Sequence, residues 1–289
     1  MTVQRQRRLG VAAATGALLA FASTGTRADE VLRVSGTGSA LGTMQRLAGA
    51  FERANPGIRV QILPSVGSSG AIAAVAKGAL DIGISGRPLD AAEQALGLTA
   101  VAYARTPFLF AVGPRTGVSG ITTDEAVRIY RGELTTWPNG ERIRLVIRPR
   151  TDVDNALLRA ISPDMAAAVD IASARKGLLL AITNQECDEI LAHTAGSIGP
   201  TSLSQVLTVA DTLVPLTWNG VAPTMPNLAS GAYPLAKTHF FVTRASPSPP
   251  VRRLLAFLTS PQAREVLEQT GNLPAPMPPQ ADSDAKRRR

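Results

Sequence analysis

The sequence predicts an α/β protein whose elements divide between two lobes, and three observations carry that prediction. Strand-like and helix-like segments alternate from residue 31 onward, the order of a largely parallel sheet with helices packed on it. Two glycine–serine loops each stand between a strand and the helix that follows. An apolar strand at Pro107–Val112 leaves the first group of elements, and His239–Thr243 can return to it.

Val31–Val34 reads as the first strand and Ser35–Gly42 as the loop after it. A helix runs from about Gly42 to Ala54, with Leu41, Met44, Leu47, Ala48 and Phe51 at helical spacing, and Asn55-Pro56-Gly57 stops it. Ile58–Leu63 is a strand, Val66–Gly70 a loop, Ala71–Gly78 a helix and Asp81–Ser85 a strand. Beyond Val112 the reading is a helix at Thr122–Tyr130 capped by Thr122 or Thr123, then a strand at Arg144–Ile147. Helices follow near Asp154–Ile161, Pro163–Arg175 and Asn184–His193. After His239–Thr243, helices span Val251–Leu258 and the stretch from Ser260-Pro261 to Gly271, with serine as cap and proline in the first turn. The expected division is a first lobe of 29–112 plus 237–276 and a second of 113–236.

The termini carry most of the net charge of +8. Arg5, Arg7 and Arg8 precede an apolar run from Leu9 to Phe21, and small residues lead to Thr26-Arg27-Ala28. That is the layout of a secretory signal peptide over residues 1–28, cleaved after Ala28 into the periplasm. The run is shorter than the ~20 residues that a bilayer span needs. Lys286–Arg289 and the prolines before them make 277–289 a disordered basic tail. Between the termini acids and bases nearly balance, which is not the footprint of a nucleic-acid binder. Cys187 is the only cysteine, so no internal disulfide forms and no lipid anchor is expected at the cleavage site. The mature chain is expected to be a monomer, peripheral to the membrane at most.

Loops that feed helices expose backbone N–H groups at the positive end of the helix dipole, which suits an anion. Ser39, Ser68 and Ser69 add hydroxyls there, and Gly70 lets a ligand approach the backbone. Neither loop has the lysine and hydroxyl of a nucleotide-binding P-loop.

In this order the motifs resemble the periplasmic phosphate-binding proteins of ATP-driven uptake systems. The likeness rests on Ser35-Gly-Thr-Gly-Ser39, Gly67-Ser-Ser-Gly70, Asp81-Ile-Gly-Ile-Ser85 with Pro88-Leu89, and Ile129-Tyr-Arg-Gly132 leading to Trp137. Gly196-Ser-Ile-Gly199, Tyr233-Pro-Leu235 and Phe257-Leu-Thr-Ser-Pro261 complete it. It implies the two-lobed type II periplasmic-binding-protein fold, each lobe a mostly parallel sheet flanked by helices, with a small oxyanion clamped in the cleft and an ABC permease as partner. It implies ligand contact at Ala40, Leu41, Ser68, Gly86 and Arg148. The family has Thr-Phe at Ala40-Leu41, an aspartate at Gly86 followed here by Arg87, and Ser-Gly-Thr at Asp152-Val153-Asp154. Arg87, Asp152 and Asp154 thereby join the candidates.

Each candidate also has a plainer reading. Arg148 and Arg87 suit structural salt bridges, and Asp152 suits the N-cap of the next helix. His193 and His239 lack partners at metal spacing, so neither metal nor cofactor is expected. Trp137 and Trp218 read as packing anchors, and Cys187 as a small buried residue. Two other functions stay open: an anion sensor or scaffold that kept the fold without transport, and a serine hydrolase using Ser39 or Ser68 with His193 or His239. The hydrolase lacks a nucleophile elbow, and nothing in the sequence places a histidine beside either serine.

Overall fold

The computed structural model describes residues 30–209 and 212–276. The signal peptide and the basic tail read from the sequence lie outside the described residues.

The chain opens with β1 (Glu30–Gly36), α1 (Gly38–Ala54), β2 (Ile58–Ile62), α2 (Gly67–Ala76), β3 (Ile82–Ser85), α3 (Ala91–Ala95) and the long β4 (Leu98–Val112). A middle section holds β5 (Gly120–Ile121), α4 (Thr123–Arg131), β6 (Arg144–Ile147), α5 (Val153–Arg159), α6 (Pro163–Ala174), β7 (Leu179–Leu180) and α7 (Asn184–His193). It continues through β8 (Ser197–Ser202), α8 (Leu203–Val209), β9 (Val214–Pro215), β10 (Thr217–Trp218) and α9 (Met225–Ser230). The chain returns on β11 (Ala236–Arg244) and closes with α10 (Pro249–Phe257), α11 (Pro261–Gln269) and β12 (Leu273–Pro274).

Hydrogen bonding links the strands in the order β2-β1-β3-β11-β4-β8-β6-β7. At one end β1 runs parallel to β2 and β3, with α1 and α2 as crossovers. At the other, β6 runs parallel to β7 and β8. Antiparallel β4 and β11 join these halves. The partner of β4 changes at one point: Leu98–Pro107 pairs with β11, and Phe108–Val112 pairs with β8. Pro107 has no N–H to donate, so the ladder can be handed over there without an orphaned donor.

The apolar side chains follow that change. Phe108–Val112 pack with Tyr130, Trp137, Leu158, Trp218 and Tyr233 in one core. Val34, Met44, Phe51, Ile82, Phe241 and Leu254 form another, and Ala71, Ile72, Val75 and Val242 a smaller one beside it. The boundary expected after Val112 therefore differs from the packing, in which the whole apolar half of β4 belongs with the middle section. Residues facing both sides of a buried sheet read as one apolar run, and such a run does not say which lobe buries it.

Local signals explain most helix ends. Thr122 and Glu125 form a capping box on α4, and Gly132 ends it at φ 81°. Ser260 accepts the Ala263 N–H at the start of α11. The helices after the two glycine loops begin earlier than expected, at Gly38 and Gly67, so Ser39–Leu41 and Ser68–Gly70 are first-turn residues rather than loop. Glycine and serine have low helix propensity, but lobe contacts hold these turns. The Ser68 hydroxyl, for instance, accepts the Gly86 N–H at 2.9 Å. No helix among the described residues is long and apolar enough to cross a membrane.

Candidate ligand-binding cleft

A cleft of about 380 Å³ opens between the two halves. One wall is Thr37 with Ser65–Gly70 at the start of α2, and the other is Arg148–Pro149, Thr151–Val153 and Ile182–Asn184. The N-cap of α2 is Val66, whose side chain accepts nothing, so the N–H groups of Ser68 and Ser69 have no intrahelical acceptor. They form the positive pole of the near wall.

The far wall holds Arg148, which is 3% exposed. Its Nη1 donates to the carbonyls of Ala181, at 2.7 Å, and Thr183; its Nη2 donates to Asp152 Oδ2 at 2.8 Å. Its Nε makes no hydrogen bond and lies 3.8 Å from Asp154 Oδ2. Asp152 does two things at once. Its Oδ1 caps α5 by accepting the Asp154 N–H, and its Oδ2 takes the Arg148 guanidinium. Burial, and then the Asp154 charge, push its carboxyl above the usual range, against the pull of Arg148. A carboxylate so placed suits the proton of a protonated oxyanion.

Of the expected contacts, Ser68, Ser69, Gly70, Arg148 and Asp152 line the cleft. The other six do not. Ala40 is fully buried in the core of α1, and Leu41 is 6% exposed there. Ser39, 2% exposed, turns inward to Thr37 Oγ1 and His239 Nε2, each at 3.1 Å. Gly86 lies under Lys237 and Val153. Arg87 is held by Glu93 through two bonds of 2.7 Å, and the Glu93 carboxylate beside it raises its pKa further. The pairing had no visible signal because Glu93 is also the third residue of a capping box on α3. Asp154 is fully buried beneath the cleft, paired with Lys237 Nζ at 2.5 Å.

The structure also brings together Ser39 and His239, one of the pairs that the hydrolase alternative named. Both are sealed, at 2% and 1% exposure, and neither borders the cleft. Burial, with help from the Lys237 charge, pushes His239 down to about 3, so the ring is neutral.

The PBP superfamily domain matches residues 22–262. The chain belongs to the PBP superfamily. It is 27% identical over 259 residues to the phosphate-binding protein PstS of Bacillus subtilis, covering 86% of this chain and 82% of that one. Among solved structures it is similar to a Clostridium perfringens protein assigned to a phosphate ABC transporter and solved with bound phosphate. The TM-score there is 0.72 at 19% identity, over 86% of this chain and all of the other. An ABC-type phosphate transport receptor from Vibrio cholerae aligns with a TM-score of 0.60 at 21% identity, over 86% of this chain and all of that one.

In this PBP superfamily member the cleft is also lined by residues that the sequence reading did not name as candidates. Thr37, Ser65, Thr151, Thr183 and Asn184 put hydroxyl or amide groups on the cleft walls. Single threonines in turns look like caps, and Thr183 is indeed the cap of α7. Lys237 lies just before the strand read at His239–Thr243, and only the fold shows it in β11 and 1% exposed.

Proposed function

We propose that the mature chain is an extracytoplasmic solute-binding protein that captures a small oxyanion of the phosphate type for ABC-type uptake, and that it is not an enzyme. One observation carries this: the cleft sets the unfilled N–H groups of α2 opposite the buried Arg148, with Asp152 beside that arginine as an acceptor. A hydrogen bond to a charged group is worth roughly 1.5–3 kcal/mol, and micromolar affinity needs about 8 kcal/mol. Three or four such bonds from α2, Arg148 and the surrounding hydroxyls reach that level. The names of the Bacillus subtilis relative and the Clostridium perfringens neighbour support phosphate as the first ligand to try. Lobes of residues 30–107 with 236–276 and of 108–235 would close on it, and an ABC permease would receive it.

A second reading, an anion sensor or scaffold without transport, is favoured by one feature: Arg148 is already engaged by Asp152 and by two carbonyls. One experiment tests whether the cleft binds an oxyanion, which uptake requires. Exported protein with its N-terminus at Asp29 is melted with phosphate, sulfate, molybdate and organic phosphates, beside Arg148→Ala. A ligand at a hundred times its Kd adds about 2.7 kcal/mol of stability. Phosphate stabilisation lost in Arg148→Ala is the expected result. A melt indifferent to every oxyanion contradicts uptake.

A further inference from the structure

Apart from the cleft, the middle section holds a second pocket of about 610 Å³, within the size range of small-molecule sites. Its lining is partly apolar, with Leu145 buried and Leu178 and Leu179 half-buried. Three arginines line it as well: Arg142 and Arg144 at the start of β6, and Arg175 at the end of α6. Arg148 follows β6 at its other end. Pocket and cleft thus lie on the order of 13 Å apart along one strand.

These arginines have no counterion. No carboxylate lines the pocket, and none of the three forms an ion pair among the described residues. Arg131, nearby on α4, is by contrast paired with Asp164 at 3.0 Å. Two of the three guanidiniums are nevertheless anchored. Arg175 Nη1 donates to the carbonyls of Tyr130, at 3.1 Å, and Ile129, at 3.4 Å, at the end of α4. Gly132 permits that approach, since a Cβ there would lie 2.8 Å from this Nη1. Arg144 Nη1 donates to the Ala195 carbonyl at 2.6 Å. In both, Nε and Nη2 keep their donors free, and the Arg142 side chain donates to nothing among the described residues. A guanidinium held by one nitrogen is already oriented, and its planar fork matches a carboxylate or phosphate. Three cations beside apolar surface repel one another until an anion joins them.

We propose that this pocket is a second binding site, for an amphipathic organic anion. A phosphate or carboxylate head is held by Arg142, Arg144 and Arg175, with the hydroxyls of Thr135 and Thr136 beside it. A short apolar chain lies on the leucines. The site is independent of the cleft and of what the cleft binds.

Titration calorimetry with hexyl phosphate and methyl phosphate tests it, in a Ser69→Asp chain whose cleft wall carries an added carboxylate. Hexyl phosphate should bind one to one, and at least tenfold more tightly than methyl phosphate, because its chain buries methylene groups. Arg142→Gln and Arg144→Gln should each weaken hexyl phosphate by about tenfold, the worth of one hydrogen bond to a charged group. Both side chains are exposed, so both variants should melt with the parent. Arg131→Gln removes the same charge close by but outside the pocket, and should change affinity less than twofold. Absence of hexyl phosphate binding overturns the proposal, as does equal affinity for methyl phosphate. So does an equal loss in all three arginine variants, which marks a general charge effect. Binding of the chain to phosphatidylglycerol vesicles without binding of free hexyl phosphate overturns it in favour of a membrane contact.

Discussion

Asp188 holds a carboxyl where water does not reach. It is 3% exposed on α7, its Oδ1 accepts from Thr201 Oγ1 at 3.1 Å, and its Oδ2 has no partner. Burial pushes it up to about 7, against about 3.9 in an unfolded chain. The folded state therefore binds more protons than the unfolded state between those values, and stability rises as pH falls from 7 toward 4. Asp188→Asn removes the ionised form. The variant should melt above the wild type at pH 8, lose that advantage through the window and match it near pH 4. Melts at three pH values check this, and a gap that does not change with pH refutes it. At this scale Arg148 was named through the family resemblance, and it lies on the cleft wall. Arg87 stayed open between a ligand contact and a salt bridge, because its partner Glu93 was hidden in a capping box.

At the scale of elements, the two glycine loops turned out to be helix starts, which sharpens their use as anion sites. Of these two, α2 presents its first turn to the cleft, and that of α1 is packed away around Ala40 and Leu41. Ser69→Asp places a carboxylate in the first turn of α2, where the dipole favours it by about 0.3–1 kcal/mol. The variant should melt at or slightly above the wild-type temperature and lose phosphate binding. Calorimetry and a thermal melt on one sample check the pair, and retained phosphate affinity removes α2 from the site. Elements the sequence did not show are short or alanine-rich. α3 spans Ala91–Ala95, and the first half of β4 reads Leu-Thr-Ala-Val-Ala-Tyr-Ala, where alternation is weak because both faces are partly covered.

For the whole molecule, the proposed division at Phe108 and Leu235 makes the second lobe a continuous stretch of chain and the first a discontinuous one. Its core from Phe108 to Tyr233 is complete within that stretch. A fragment of residues 108–235 should therefore melt cooperatively as a monomer, as a domain with its own core does. A gradual, non-cooperative melt places the boundary elsewhere. In the intact chain the halves also touch away from the cleft. Gln185 Nε2 donates to the Gly38 carbonyl at 3.2 Å, and the Ser204 hydroxyl donates to that of Ser39 at 3.1 Å.

By itself the sequence determined the α/β alternation, most helix ends and the presence of Arg148 and Asp152 at one strand–helix junction. Those follow from hydrophobic period and capping chemistry, which act over a few residues. Only the tertiary structure decided which half buries Phe108–Val112, which glycine loop faces the cleft, and that Lys237 reaches Asp154 across 83 positions of chain. Pairings at that separation depend on how two sheets are joined through β4 and β11, and no local preference encodes them.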